Sequence, residues 1–147
     1  MLLSPEELGA WRGLLRVHTR MTKALDAELL REHGLSLSSY EVLLFLADSS
    51  EGRLRMSELA DGVLLSRSGL TRLVDRMEGE GLLRRERCED DARGYHALIT
   101  EAGRELFARA RRTHLEGVRE RFLEHLSAAE LRQLAEVWER VAPGAAS

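Results

Sequence analysis

The spacing of apolar residues between positions 57 and 77 constrains the fold more than any other feature of this chain. A helix-turn-helix unit packs two helices at a fixed angle, so its geometry sets which positions must be apolar or small. One departure is Leu64, where many simple units of this kind carry a turn glycine and winged variants often do not. The positions that meet the requirement are Leu59, Ala60, Val63, Leu65, Leu70 and Leu73.

The second helix of this unit has one apolar side and one polar side. At about 100° per residue, the inward stripe formed by Leu70, Leu73, Val74 and Met77 leaves the opposite side to solvent. Residues near the start of a recognition helix reach base edges in the major groove. There Arg can form two hydrogen bonds with guanine, and Ser or Thr can form hydrogen bonds with several different bases. The alternative is that these polar side chains only solvate the helix. They are Arg67, Ser68, Thr71, Arg72, Asp75 and Arg76.

A basic hairpin is predicted directly after this helix. "RLRM" alternates like a brief strand, and "LLRRER" and "YHALIT" form two more strand-like runs around the polar turn "CEDDARG". The outgoing strand carries Arg84, Arg85 and Arg87. Arg93 at the tip is placed to enter a minor groove, with Asp91 positioned to hold its guanidinium. The other interpretation is an ordinary polar turn.

Helix starts are marked by Ser followed three residues later by Glu, a spacing that lets each side chain satisfy a free amide. "SPEE", "SSYE" and "SAAE" therefore predict caps at Ser4, Ser38 and Ser127, with weaker starts at Ser57 and Thr100. The first helix should run roughly 28 residues from Pro5 to His33, with Gly34 as its C-cap. Its length exceeds about 40 Å, too long for one small domain to cover. Two more helices should form the last third, ended by Pro143 and Gly144.

Composition limits the classes of protein to consider. At 147 residues the chain has room for one compact domain, and its formal net charge of -3 means that any basic surface must be local. The single cysteine, Cys88, fits a reducing compartment. Because the N-terminal stretch lacks a basic segment followed by an apolar run, and no apolar run approaches a membrane span, we expect a cytoplasmic protein without a membrane partner.

These stretches together resemble the MarR family of bacterial transcription regulators over nearly the whole chain. The resemblance rests on "GLSLSSYEVLLFLA", "MSELADGVLLSRSGLTRLVDRMEGEGLLRRE" and "DDARGYHALITEAGREL". It implies a mainly α fold with a small β-hairpin wing, that is, a winged helix-turn-helix with N- and C-terminal dimerisation helices. The implied segments are 1–34 for dimerisation, 35–100 for DNA binding and 101–147 for dimerisation.

The resemblance also implies a function and a set of site residues. The expected function is a homodimeric, sequence-specific DNA-binding regulator, by default a repressor, on a pseudo-palindrome with half-sites about 10 bp apart. The expected base or groove contacts are Arg67, Ser68, Thr71 and Arg72, with Arg76 on the flank. Arg93 would contact the minor groove with Asp91 as its support. Phosphate contacts would come from Ser36, Ser38 and Ser39.

Relatives in this family often release DNA when a small aromatic molecule binds between the dimerisation helices and the reading head. Trp11, His18, Tyr40 and Phe45 are the residues that would line such a pocket here. The alternative is that Trp11 and Phe45 belong to the core and interface and that His18 lies beside an interface. The sequence does not identify an effector.

Other functions have weaker support in the sequence. Acidic neighbours of Cys88 disfavour the thiolate that redox sensing requires. His114 and His125 lie about 16 Å apart along one helix, so they cannot share a metal ion, and no cofactor motif is present. An enzyme is not expected, because no phosphate loop or nucleophile elbow occurs. The remaining rival is a dimeric winged-helix module that binds proteins instead of DNA.

Overall fold

The computed structural model describes residues 2–63, 65–90 and 93–146, and its elements follow the predicted order. The described ranges contain six α-helices, three strands and two short 3-10 turns. The helices are α1 (Pro5–His33), α2 (Leu37–Asp48), α3 (Met56–Gly62), α4 (Arg67–Gly79), α5 (Glu101–Arg121) and α6 (Ala128–Val141). The strands are β1 (Arg53–Arg55), β2 (Leu83–Arg87) and β3 (Tyr95–Ile99). The predicted fold class, mainly α with a small hairpin wing, is confirmed.

Local capping chemistry explains where several helices begin. Ser4 and Ser127 each form a capping box, with Glu7 and Glu130 respectively, and Thr100 caps α5 as predicted. Helix α1 has 29 residues and ends at Gly34, whose φ of 63° is the left-handed conformation that glycine adopts without strain.

Two predicted caps are wrong. Helix α2 is capped by Ser36, whose hydroxyl accepts a hydrogen bond from the Ser39 amide at 3.1 Å, so Ser38 lies inside the first turn. Helix α3 starts one residue before Ser57, because strand β1 leads straight into it and its cap position, Arg55, makes no side-chain bond. In both cases the predicted Ser is close to the helix start; at α2 the neighbouring Ser36 forms the cap instead, and at α3 the described residues provide no side-chain cap.

The three strands form one antiparallel sheet in the order β1-β3-β2. Strand β3 is central, and its Ala97 is paired with Leu54 on one side and with Arg85 on the other. Ala97 is fully buried, so the small side chain lets the core pack closely against the middle of the sheet. This pairing fixes the hairpin beside α4.

The core lies inside the winged helix-turn-helix unit. The predicted inward stripe of α4 is confirmed, since Leu70, Leu73, Val74 and Met77 are all at most 6% exposed. Helix α2 is central because its sequence is apolar on nearly all sides, although Phe45 remains 36% exposed. Helix α1 reaches this core only through its C-terminal half, where Leu25 and Leu29 are buried.

The two ends of the chain have little cover within one subunit. No residue of α6 is buried, and Trp11 in the first half of α1 is 54% exposed. Helices α1 and α5 are joined by an ion pair between Glu28 and Arg121 and by a 2.8 Å hydrogen bond between His33 and Thr113. None of the helices in the described ranges is long and apolar enough to cross a membrane.

Candidate nucleic-acid interface

Helix α4 presents a row of polar side chains on the side opposite its buried stripe. Ser66 caps the helix by accepting the Gly69 amide at 3.1 Å, and Thr71 donates to the Arg67 carbonyl at 3.0 Å. Arg76 approaches Glu80 only loosely, at 3.9 Å. The structure therefore brings together five of the predicted contacts on one exposed surface: Arg67, Ser68, Thr71, Arg72 and Arg76.

Arg85 is engaged within the protein rather than displayed on the wing. Its Nη2 lies 2.6 Å from Asp75 Oδ1 and 3.0 Å from Glu78 Oε1, and its backbone amide donates to Glu78 Oε2 at 2.8 Å. The backbone hydrogen bond from Arg85, followed by the side-chain bonds, lowers the pKa of Glu78. Sequence reasoning placed Asp75 on the open side of α4 and did not foresee this ion pair.

The other wing arginines have different surroundings. Arg84 is exposed and pairs with Glu86 at 2.7 Å, and the Arg87 guanidinium lies 6.0 Å from the centre of the Tyr95 ring. Arg55 of β1 binds Asp90 at 2.7 Å, which ties the first strand to the turn after β2. The pKa of Asp90 is lowered, first by a backbone hydrogen bond and then by Arg55.

The predicted contact at the wing tip is only partly described. The side chain of Arg93 is exposed, as minor-groove insertion requires. Asp91, its predicted support, lies outside the described residues. The role of this pair stays a prediction.

The three serines near the start of α2 do not share one environment. Ser36 donates its hydroxyl to Ser39 Oγ at 2.9 Å, and Ser39 is only 5% exposed. The Leu37 amide, which a phosphate could otherwise take, donates to Asp26 Oδ1 at 2.8 Å. The Ser39 hydroxyl is therefore largely shielded from solvent, which disfavours a phosphate contact there, and the contacts of Ser36 and Ser38 stay predictions.

The environment of Cys88 includes a partner, His96, that its acidic sequence neighbours did not suggest. The thiol is buried, with Sγ 3.3 Å from His96 Nδ1. The hairpin pairing brings His96 opposite Glu86, two residues before the cysteine. Knowing the strand register would have revealed this partner. Within the described residues, no group of three or more His, Cys, Asp or Glu side chains is arranged to hold a metal ion.

The four residues predicted to bind an effector do not meet around one cavity in the described chain. Tyr40 is buried, with its ring 4.5 Å from that of His114 and 5.4 Å from that of Phe107. Burial lowers the pKa of His114. Phe45 packs over Gly62, where an added Cβ would meet its ring at 3.0 Å. An effector pocket lined by all four residues is thus not formed within one subunit.

Trp11 and His18, the other two, line an apolar groove between α1 and α6. The groove has a volume of about 770 Å³ and is open to solvent along its length. Apart from His18, the side chains around it are apolar. They are Ala10, Trp11, Gly13, Leu14, Val17, His18, Met21, Phe122, Leu134, Val137, Trp138 and Val141.

Comparison with known proteins agrees with this architecture. Residues 33–94 match the model of the MarR family. AbsC, a MarR family transcriptional regulator from Streptomyces coelicolor, is 36% identical, superposes with a TM-score of 0.90, and the match covers 97% of this chain and 95% of that one. The chain belongs to the MarR family of transcriptional regulators.

Two further relatives of this MarR-family chain extend the comparison. Sco3205 from S. coelicolor, solved in complex with DNA, is 35% identical with a TM-score of 0.92, covering 98% of this chain and 91% of that one. YfiV of Bacillus subtilis, described as an uncharacterised HTH-type transcriptional regulator, is 29% identical over 72% of this chain and 64% of its own length. The chain spans less than two thirds of the length of the curated relatives that it matches.

Proposed function

We propose that this MarR-family regulator binds double-stranded DNA sequence-specifically through α4 and the wing. The observation that carries the proposal is the exposed row on α4, in which Arg67, Ser68, Thr71 and Arg72 occupy the first two turns. The buried stripe on the opposite side anchors the helix, and the N-terminal turns of such a helix are those that reach base edges. The DNA complex of the similar Sco3205 supports the same use of the fold.

The proposal includes a homodimer. Segments 1–34 and 101–147 would form the dimer interface, and the apolar groove beside α6 supports this because monomers rarely leave such a surface open. Segment 35–100 would then supply one reading head per subunit. Two heads related by a two-fold axis fit a pseudo-palindromic operator, with half-sites about one helical turn apart. Occupancy of a promoter by the dimer would repress transcription, the default outcome for the family.

Binding to fragments of the organism's own genome, followed by fluorescence anisotropy across a salt series, tests the proposal. We expect selective binding that weakens steeply with salt, because phosphate contacts release counterions. Arg72→Ala should cost about 1–3 kcal/mol on the selected site and relax its sequence preference. Arg93→Ala should weaken binding most on sites with a narrow minor groove.

A matched control separates these contacts from general charge. Arg132→Ala removes the same charge from an exposed position on α6 that does not line the apolar groove, and should leave DNA affinity within about twofold. If wild type binds no fragment better than random DNA at low salt, the proposal is wrong. Capture of a specific protein by the same preparation would then favour the protein-interaction module.

A further inference from the structure

The junction between α4 and β2 is held by one arginine and two carboxylates, which we call the α4–wing clamp: Arg85, Asp75 and Glu78. Nε and Nη2 of Arg85 both lie close to Glu78 Oε1, at 3.3 and 3.0 Å, and Nη2 also pairs with Asp75 Oδ1 at 2.6 Å. The Arg85 amide donates to the second Glu78 oxygen at 2.8 Å. Both the backbone and the side chain of β2 are thus fastened to α4.

The position of the clamp along α4 relates it to the reading surface. Arg67, Thr71, Asp75 and Glu78 succeed one another at intervals of four, four and three residues, so they lie along one side of the helix. The first two belong to the proposed DNA contacts and the last two hold Arg85. The clamp therefore lies on the same side as the base-reading row, one to two turns further along.

The connection that the clamp spans is short, and it is also held from α5, where Thr100 donates to the Gly81 and Leu82 carbonyls at 2.6 and 3.2 Å. Only Glu80, Gly81 and Leu82 separate α4 from β2, and Gly81 has a φ of 78°. Backbone bonds from Gly81 to the Glu78 carbonyl and from Leu82 to the Met77 carbonyl close the turn at 3.0 Å each. These backbone bonds set the path of the turn. Outside the turn, the Arg85 side chain links β2 to the side of α4.

We infer that the α4–wing clamp sets the angle at which the wing meets DNA relative to the recognition helix, and that Arg85 is a positioning residue rather than a DNA contact. A DNA-binding surface made of a recognition helix and a wing gains sequence specificity only when the helix and the wing reach their grooves together. The inference rests on the proposed function, because it concerns how that DNA surface is held. Arg85 also neutralises two carboxylates that would otherwise face phosphates.

Glu78→Gln distinguishes positioning from simple electrostatics, since the two predict opposite changes. Removing a negative charge near DNA should tighten binding if charge alone matters. If the clamp positions the wing, specific affinity should fall by about 5- to 20-fold, while affinity for random DNA stays unchanged or rises. Glu80→Gln is the matched control, because Glu80 lies at the end of the same helix, is exposed and holds Arg76 only loosely. It should bind as wild type or slightly more tightly.

Arg85→Gln and the double variant with Glu78→Gln complete the test. For a positioning residue the slope of log affinity against log salt stays at the wild-type value, and adding Glu78→Gln to Arg85→Gln causes little further loss. A direct phosphate contact would instead lower that slope by about 0.9 and weaken specific and random binding equally. Near-ultraviolet circular dichroism of each variant shows that the fold is retained.

Two results would overturn the inference while leaving the proposed function intact. One is Glu78→Gln binding its operator as tightly as Glu80→Gln does. The other is a reduced salt slope for Arg85→Gln. If wild type itself fails to discriminate among DNA sequences, the proposed function fails and the inference fails with it. Measuring wild type first therefore separates the two failures.

Discussion

Gly103 in the first turn of α5 lies against the backbone of the residue that precedes β2. A Cβ at this position would stand 2.1 Å from the Leu82 carbonyl oxygen and 2.9 Å from Ile99 Cγ1. The backbone carbonyl cannot move aside as a flexible side chain would, because it accepts the Thr100 amide at 3.2 Å. The absence of a side chain at this one residue lets α5 start directly beneath the sheet.

We predict that Gly103→Ala destabilises the protein by about 1–3 kcal/mol, the usual cost of forcing extra atoms into a packed site. Gly79→Ala is the control, because its added Cβ would meet nothing within 4 Å and alanine favours helix. Urea unfolding of the two variants measures the difference. Equal free energies of unfolding for the two variants would contradict this prediction, because they would show that the backbone at Leu82 can move aside without loss of stability.

At the scale of elements, the wing and α4 are joined by charge as well as by packing. Strand β2 is fastened to α4 through Arg85, and β1 is fastened to the turn after β2 through Arg55 and Asp90. The wing is therefore held at both of its outer strands. Arg55 and Arg85 thus join elements of the fold, whereas Arg84 is exposed and pairs with its strand neighbour Glu86.

The lowered pKa of Glu78 predicts how stability depends on pH. The folded-state pKa of Glu78 is below its unfolded value of about 4.3. The contribution of Glu78 to the free energy of unfolding is therefore fully present above the unfolded pKa, and it is lost as pH falls through the folded pKa. We expect Glu78→Gln to be less stable than wild type at pH 7, by no more than about 1 kcal/mol since the pair is partly exposed.

Thermal unfolding of wild type and Glu78→Gln from pH 7 to pH 3 checks this expectation. The gap between their midpoints should close at the acid end, where the wild-type carboxylate becomes protonated. Glu80→Gln again serves as the control and should show little pH-dependent gap. A gap for Glu78→Gln that is constant over the whole range would argue against a contribution from the ionised carboxylate.

At the scale of the whole molecule, the apolar groove between α1 and α6 is the surface that a second subunit would cover in the proposed homodimer. The groove is apolar over nearly all its lining, to which α6 contributes Val137 and Trp138 and α1 contributes Trp11 and Leu14. Such a surface resembles half of a core, which is typical of obligate dimers. The C-terminal half of α1 belongs instead to the core of its own subunit.

We predict that Val137→Glu converts the dimer into a monomer, because it places a charge in the centre of the apolar groove. Sedimentation velocity at micromolar concentration measures the change, and affinity for a two-half-site operator should fall with it. Tyr95→Glu introduces the same charge on the exposed part of the wing and should leave the oligomeric state unchanged. A wild-type monomer, or a dimeric Val137→Glu, would contradict the proposed interface.

The amino-acid sequence by itself determined the elements and most of the reading surface. The helical spacing of apolar residues and the capping residues predicted helix α1, its end at Gly34 and the buried stripe of α4. These features depend on residues within a few turns of one another. The exposed position of Arg72 follows from the same helical period, and that of Arg67 from its place in the first turn. Ser36 was missed as a cap because a nearby Ser with a following Glu offered an equally good local motif.

Only the tertiary structure decided which of the polar residues face a partner. Arg85 and Arg84 are neighbours in the sequence, yet one binds Asp75 and Glu78 of α4 while the other lies exposed. Cys88 meets His96 diagonally across the hairpin because the strand register places His96 opposite Glu86, and Ser39 is buried because α2 packs into the core. Local spacing fixes the direction of a side chain on its own element, but what it meets depends on elements that arrive from elsewhere in the chain.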